Sequence, residues 1–376
     1  MRPVVWVTSE ASPQPRSGGT IRTQRLLAAL ASATPVDLVV IGDEVDADAL
    51  AAATGAASVR WFPTLRAPVN RPVAARHGWP VPTARCWHPA AVRLVRGLQA
   101  GRLTVVEHSA LAPYRPLLGP YVFHLQNAEA ARLASLPAPA GRWRRVERRW
   151  DIARMRRLER AAAGDPRART VVVSEIDAAL VGAGAATVIA NGTDLPANPP
   201  PPPPGADPLF VGSLDYPPNR DGLAWFAEAV WPLLGPDRRP VTVVGRGGPA
   251  ALGSLARHPA LRVVGEVPDV GPHLAGAGCV VVPLHAGSGS RLKVLEALAW
   301  ARPVVSTTKG VEGIPDAEGV LLADRPVDFA AALTRLRADP GLAGALGSGG
   351  RRVAERYAWP SLAARFVGVC AELPGG

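Results

Sequence analysis

His285 to Ile314 reads HAGSGSRLKVLEALAWARPVVSTTKGVEGI. Gly287 and Gly289 bracket a small-residue loop that follows the apolar run Cys279–Leu284. Glycine lets the backbone approach a ligand closely, and successive free amides favour an anion. The spacing predicts a helix from near Ser290, with Leu292, Leu295 and Leu298/Ala299 on its buried face. Pro303 ends it, since an internal proline lacks a donor and clashes with the preceding turn. Val304-Val305-Ser306 then reads as a buried strand. A loop feeding a helix N-terminus attracts phosphate. Arg291 and Lys293 stand in the first turn, where the helix dipole disfavours cations, and an anionic ligand accounts for them. Glu296, one turn further, can accept hydrogen bonds from sugar hydroxyls. The chain has 42 Lys+Arg, yet its only lysines are Lys293 and Lys309, both in this stretch. That points to a need for a compact ammonium. The plain alternative is an amphipathic helix with a solvated basic edge.

Outward from this stretch, short apolar runs alternate with helical patterns, the signature of parallel α/β sheets. Strands are expected at residues 3–8, 36–41, 59–62, 103–107, 121–125, 171–174 and 187–190. The alternation restarts at 209–212 and continues at 241–245, 261–265, 279–283, 304–306 and 320–323. Pro199–Pro204 is an unbroken proline run, a stiff extended spacer. The expected organisation is an N-terminal domain over 1–198, a linker over 199–205, a C-terminal domain over 206–358 and a final helix over 359–376. Ser9–Gly19 reads as a loop and Thr20–Ala31 as a helix. Pro63–His88 shows little periodicity and reads as a long loop, which is uncommon unless functional. Ligands of open α/β sheets bind outside the carboxyl ends of the strands, which draws attention to Glu107-His108 and to His124-Leu125-Gln126-Asn127.

The run GSGSRLKVLEALAWARPVVST resembles the C-terminal signature of the retaining family 4 (group 1) glycosyltransferases. The resemblance implies a GT-B fold: two Rossmann-like, doubly wound parallel-sheet domains facing each other across a cleft. It implies a nucleotide-diphosphate sugar, UDP- or GDP-linked, as donor, with no further cofactor and no metal. Glu296 matches the second glutamate of the family motif, which holds the ribose; the first falls on Ser288. The resemblance places the donor on Gly212, Gly287, Ser288, Gly289, Ser290, Arg291, Lys293, Leu295 and Glu296. It lays the base near Glu266 and Val267, and brings Gly18 and Gly19 to the diphosphate from the first domain. The Arg and Lys that the family carries near the start of its second domain are Ser213 and Asn219 here, so the charge falls to Arg291 and Lys293. A His-Asn-x-Glu run of the subgroup reads Gln126-Asn127-Ala128-Glu129. His124, on the same strand face, either replaces the missing histidine in catalysis or is a core histidine. With Arg291 and Lys293 it makes up the expected catalytic set. Pro63–His88 is either the acceptor region that the resemblance implies or a variable surface excursion, and the resemblance brings the final helix back onto the first domain.

A formal net charge of +11 raises nucleic acid as a partner. The sequence shows no zinc-finger spacing or RNA-binding motif and few Phe and Tyr for stacking, so a small or lipid-linked acceptor is expected in place of nucleic acid. Cys86, Cys279 and Cys370 form no metal-ligand spacing and fit a reduced cytoplasmic protein. No apolar run approaches the roughly 20 residues needed to span a bilayer. Residues 142–160 hold nine arginines against Glu147, Asp151 and Glu159. Trp143, Val146 and Trp150 recur there at helical spacing. Such a helix either lies on an anionic membrane as a peripheral contact or packs its apolar stripe inward, and the inward arrangement is expected. Three functions compete: sugar transfer to a hydroxyl acceptor, which the resemblance favours; epimerisation of a sugar nucleotide; and a non-catalytic module that binds lipid or nucleic acid through charge.

Overall fold

The computed structural model describes every residue except Arg16, Leu117, Leu118, Pro137, Asp237, 288–290, 315–317 and 374–376. The chain divides into two units: Met1–Asn191 with Trp359–Gly376, and Gly192–Ala358.

Unit 1 is built on seven strands: β1 (Val4–Thr8), β2 (Val36–Gly42), β3 (Ser58–Pro63), β4 (Leu103–Glu107), β5 (Tyr121–His124), β6 (Ala168–Val172) and β7 (Thr187–Val188). They form one sheet in the order β3-β2-β1-β4-β5-β6-β7, and every pairing is parallel. β1, β4 and β5 are buried at every position, as expected for strands covered on both faces. Alternation sorts their side chains. Val4 and Trp6 join one core layer with Leu26, Leu30 and Phe366, while Val5 and Val7 join the other with Val92 and Phe123.

Unit 2 repeats the plan with β8 (Pro208–Val211), β9 (Val241–Val244), β10 (Leu261–Gly265), β11 (Cys279–Val282), β12 (Val304–Ser306) and β13 (Val320–Leu322). Its order is β10-β9-β8-β11-β12-β13, again parallel throughout. Phe210, Val243 and Val281 pack with Phe226 and Phe329 on one face, and Leu209, Val280 and Val282 pack with Leu295 and Leu298 on the other. In both sheets the strand order reverses once, between β1 and β4 and between β8 and β11. These are the topological switch points, where the crossover helices part and leave a crevice at the strands' carboxyl ends.

Several local expectations change. The passage from unit 1 to unit 2 falls at Asn191/Gly192, ahead of the proline run. The prolines lie on unit 2 instead of spanning between units: Arg302 Nη2 donates to the Pro200 carbonyl, and Pro202 packs near Gly347. The last helix, Trp359–Ala371, is no such change: it belongs to unit 1, the side to which the resemblance assigns it, and there Phe366 meets Trp6 at 5.5 Å between ring centroids. Pro63–His88 is not a loop throughout. It holds helices Asn70–His77 and Val81–Arg85, the first closed by Gly78 at φ +65° and the second opened by Pro80 and Pro82. Each is too short to show a period in the sequence. The helix expected from Thr20 begins at Gly18, because Ser17 and Thr20 form a reciprocal capping box. Gly18 and Gly19 are thus first-turn residues.

The helix Arg142–Ala163 overturns the inward packing expected for its apolar stripe. Trp143 is 75% exposed, Trp150 60% and Val146 42%. Met155, Glu159 and Ala162 are buried instead. The acids set this rotation. Glu159 accepts from Ser109 Oγ at 2.7 Å and from the Glu129 amide at 2.6 Å, and Asp151 accepts from the Val81 amide at 2.8 Å. No helix among the described residues is long and apolar enough to cross a membrane.

β8 and β9 meet closely at their carboxyl ends. A Cβ on Gly245 would lie 1.9 Å from the Gly212 carbonyl oxygen, with backbone on the other side of the contact and little room to yield. Gly245→Ala is expected to destabilise unit 2 by about 3 kcal/mol through overpacking. Gly97→Ala, in helix Pro89–Leu98 with open space around it, is expected to stabilise by roughly 0.5–1 kcal/mol. Denaturant midpoints compare the two, and equal shifts would contradict the close approach.

Candidate active site

The switch point of unit 2 gathers Gly212, Gly287, Lys293 and Glu296 from among the residues expected at the donor. Gly212 follows β8 and Gly287 follows β11, while Lys293 lies in the first turn of helix Leu292–Ala299. Lys293 Nζ donates to Asn219 Oδ1 at 2.7 Å and sits 4.3 Å from the centroid of the Phe210 ring. Asn219 is itself fixed, its Nδ2 donating to the Ser213 carbonyl at 2.7 Å. A Cβ on Gly212 would fall 2.7 Å from Lys293 Nζ and 2.8 Å from Asn219 Nδ2, so only glycine lets the ammonium approach the end of β8. Burial pushes the ammonium down to about 7. The nearby Arg291 charge adds to this, and Glu296 opposes it. Asn219, which stands where the resemblance expects a charged residue, is therefore the group that orients Lys293.

Glu296 lies one turn on. Burial raises its carboxyl to about 7, with Lys293 opposing and Asp194 reinforcing the rise. Cation and carboxyl both sit near neutrality because each is short of solvent. The site gains from a ligand that supplies negative charge to one and hydroxyl donors to the other.

Arg291 takes a different place from the one expected. It is the N-cap residue of the helix instead of a first-turn residue, and it is 5% exposed. Its Nε donates to the Lys309 carbonyl and its Nη2 to the Gly287 carbonyl, both at 3.2 Å, and Glu312 lies 3.6 Å away. The guanidinium ties the glycine loop to the turn at 308–311, and Lys293 is left as the ammonium at the strand ends. The helix ends at Ala299, before the stop expected from Pro303, because Ala301 takes a left-handed turn at φ +54°. Leu295 is 2% exposed within the core, so its side chain is not at a ligand surface. Glu266 and Val267 follow the edge strand β10, with Glu266 exposed and Val267 half-buried. Ser288, Gly289 and Ser290 lie outside the described residues.

In unit 1, His124 is a core histidine. It is 0% exposed, packed edge-on against Trp6 at 6.1 Å and against Phe366 at 5.3 Å. Its Nε2 accepts from Arg22 Nε at 2.9 Å, and its Nδ1 lies 3.1 Å from Glu107 Oε1. Burial lowers its pKa to about 4, so the neutral ring bridges a buried cation and a buried anion. Arg22 completes its contacts on the carbonyls of Ile189 and Ala190 and on Asn191 Oδ1, at 2.7–3.0 Å. Burial lowers its pKa to about 10, which leaves it charged. Burial would also raise Glu107. Its hydrogen-bond partners outweigh that and hold the carboxyl well below its usual range: His124 first, with Trp6 Nε1, Thr23 Oγ1 and Gln126 Nε2 donating at 2.8–3.0 Å. His124 therefore has no free edge for a substrate, and the catalytic role expected for it is replaced by a structural one. Gln126 is also held inside, bonded to Thr23 and Glu107. Gly19 touches this network, since a Cβ there would overlap Glu10 Oε2 at 1.8 Å and Gln126 Oε1 at 2.7 Å.

The structure instead singles out His108. It follows β4 at the switch point of unit 1, its φ is +76°, and its buried Nε2 has no hydrogen-bond partner. A non-glycine residue held in this region stores strain that the surroundings must enforce, and such residues cluster at functional sites. The strand-end rule already marked Glu107-His108 in the sequence; the backbone conformation was not readable there.

Comparison with known proteins agrees with this geometry. Residues 206–339 match the family described as "Glycosyl transferases group 1". A D-inositol 3-phosphate glycosyltransferase from Streptomyces bingchenggensis (strain BCW-1) is 39% identical over 106 residues, which are 27% of this chain. The chain spans 23% of the length of that relative. Over nearly its whole length the chain is similar in structure to sucrose-phosphate synthase from Thermosynechococcus elongatus (TM-score 0.69, 16% identity, 99% of each chain). It is also similar to WaaG, a glycosyltransferase involved in lipopolysaccharide biosynthesis (0.67, 15%, 98% of this chain and 100% of that one). A third structure, Anabaena Alr3699/HepE in complex with UDP and glucose, matches with a TM-score of 0.64 at 13% identity, over 98% and 99% of the two chains. The fold is GT-B, with two Rossmann-like parallel-sheet units.

The role given to His124 has a direct check. His124→Ala leaves Arg22 and Glu107 without their shared partner, and is expected to cost about 3 kcal/mol. The wild type should also lose stability as pH falls from 6.5 towards 4. Over that window the unfolded histidine binds a proton that the folded one refuses. Urea unfolding of His124→Gln should show a flatter profile there. A fully stable His124→Ala protein with slow turnover would restore the catalytic reading.

Proposed function

We propose that this protein is a retaining glycosyltransferase of family 4 that moves a sugar, a hexose or a close relative, from a nucleotide diphosphate to a hydroxyl acceptor. The observation that carries this reading is the Lys293 ammonium enclosed beside Gly212 and Glu296 at the switch point of unit 2. Lys293 neutralises the diphosphate, whose charge grows as the sugar–phosphate bond breaks, and so acts most strongly in the transition state. A side-chain cation takes the place of a metal in this scheme. Glu296 accepts from the ribose hydroxyls. Arg291 positions the loop that carries Gly287. The acceptor belongs to unit 1, where His108 offers an imidazole at the strand ends. The acceptor attacks from the face the phosphate leaves, through an oxocarbenium-like state, with the departing phosphate taking the proton.

Complexes of neighbouring structures with UDP and glucose support a nucleotide-sugar donor. The family match and the named neighbours favour transfer over epimerisation. The acceptor is a natural product, a glycolipid or a polysaccharide precursor.

Lys293 and Glu296 should separate in titration calorimetry with pyrophosphate, nucleoside monophosphate, nucleoside diphosphate and nucleotide sugar. Lys293→Met should lose about ten- to a hundredfold in diphosphate affinity and with it the preference over the monophosphate. Wild-type pyrophosphate affinity should weaken relative to Lys293→Met as pH climbs above about 7, where the ammonium loses its proton. Glu296→Ala should weaken nucleotides about tenfold and leave pyrophosphate unchanged. A preference for diphosphate that survives Lys293→Met would place the phosphate site elsewhere.

A further inference from the structure

The first turns of helix Arg142–Ala163 present an apolar stripe with a basic rim. Trp143, Val146 and Trp150 recur at i, i+3 and i+7 and are all exposed. Around them Arg142, Arg144, Arg145 and Arg149 are exposed, as are Arg156, Arg157 and Arg160 further along. Two guanidiniums cap the indoles: Arg142 lies 5.2 Å from the Trp143 ring centroid and Arg154 5.2 Å from that of Trp150. Of the acids of the helix, only Glu147 borders this surface, one turn from Trp143 and from Trp150, and each acid has a partner. Glu147 pairs with Arg71 at 2.9 Å, Asp151 accepts from the Val81 amide, and Glu159 is buried on Ser109 and the Glu129 amide. The outer face therefore combines aromatic and aliphatic groups with a net positive charge, since the one carboxylate on its edge, Glu147, is paired with Arg71.

We infer that this face docks on an anionic lipid bilayer, with Trp143, Val146 and Trp150 entering the headgroup region and the arginines contacting lipid phosphates. The charge sign selects the partner. A second copy of the chain would bring two arginine-rich faces together and is disfavoured by repulsion. An amphipathic helix lying in the interface gains from buried apolar area and from attraction to anionic lipid together, and indole suits that depth. Each arginine near such a surface contributes about tenfold in partitioning at low screening. The inference rests on exposure and charge alone and stands apart from the proposed chemistry.

The test is co-sedimentation of the full chain with vesicles of phosphatidylglycerol and phosphatidylcholine, against phosphatidylcholine alone, at physiological salt. A brominated-lipid series then reads tryptophan depth. The wild type should bind the anionic vesicles only, with its fluorescence quenched. Trp143→Ala/Trp150→Ala should lose the quenching and reduce partitioning at least tenfold. Arg142→Glu/Arg145→Glu/Arg149→Glu should reduce it about a hundredfold. Both variants should keep the wild-type melting temperature, since all five residues are exposed. Absence of vesicle binding would overturn the inference. So would binding that ignores the tryptophan substitutions, tighter retention on RNA than on vesicles, or a dimer that the tryptophan substitutions dissolve.

Discussion

The contact on which the candidate site depends is a backbone one. Gly212 and Gly245 end adjacent parallel strands so closely that a Cβ on Gly245 would strike the Gly212 carbonyl. On its other side Gly212 leaves room for the Lys293 ammonium, which Asn219 then holds. Removing side chains at the strand ends draws a cation from the following helix into a place where solvent cannot fully serve it. The depressed pKa of Lys293 and the raised pKa of Glu296 both follow from that shortage.

The two units handle buried charge in opposite ways. In unit 1, Arg22, His124 and Glu107 hold one another and contact the surrounding carbonyls and donors. Such a network fixes a unique core and leaves nothing for a ligand. In unit 2, Lys293 keeps one side-chain hydrogen bond among the described residues, and Glu296 is perturbed mainly by burial. Stability is concentrated in the first arrangement and chemical readiness in the second. His108 carries the corresponding unfinished feature of unit 1, a strained backbone with an unpartnered ring nitrogen.

The alternation of β-branched runs made the doubly wound architecture legible, and each of the thirteen strands lies within two or three residues of where those runs place it. Parallel strands buried on both faces announce themselves locally, because most residues in them are apolar, with polar ones such as Glu107 and His124 at their carboxyl ends. The loop-to-helix stretch around Lys293 was legible for the same reason. Asn219 as its partner was not, because the two residues are separated by 74 positions and meet only through the sheet order. The burial of His124 depended on Arg22, 102 positions away, and on Glu107 at the end of the adjacent strand. Helical spacing identified the Trp143–Trp150 stripe, but the usual inward preference gave it the wrong direction; the acids Asp151 and Glu159 fixed the rotation by finding donors on other segments.

The central claim is that a nucleotide-diphosphate sugar sits on unit 2 at the ends of β8 and β11. Amide hydrogen exchange with and without UDP- and GDP-sugars measures this directly, since a ligand bound to the folded state slows local opening where it binds. The account predicts protection of 209–219 and 284–300 by one of these donors, with the Arg22–His124–Glu107 core unchanged. Protection confined to unit 1, or none with any nucleotide sugar, would contradict it.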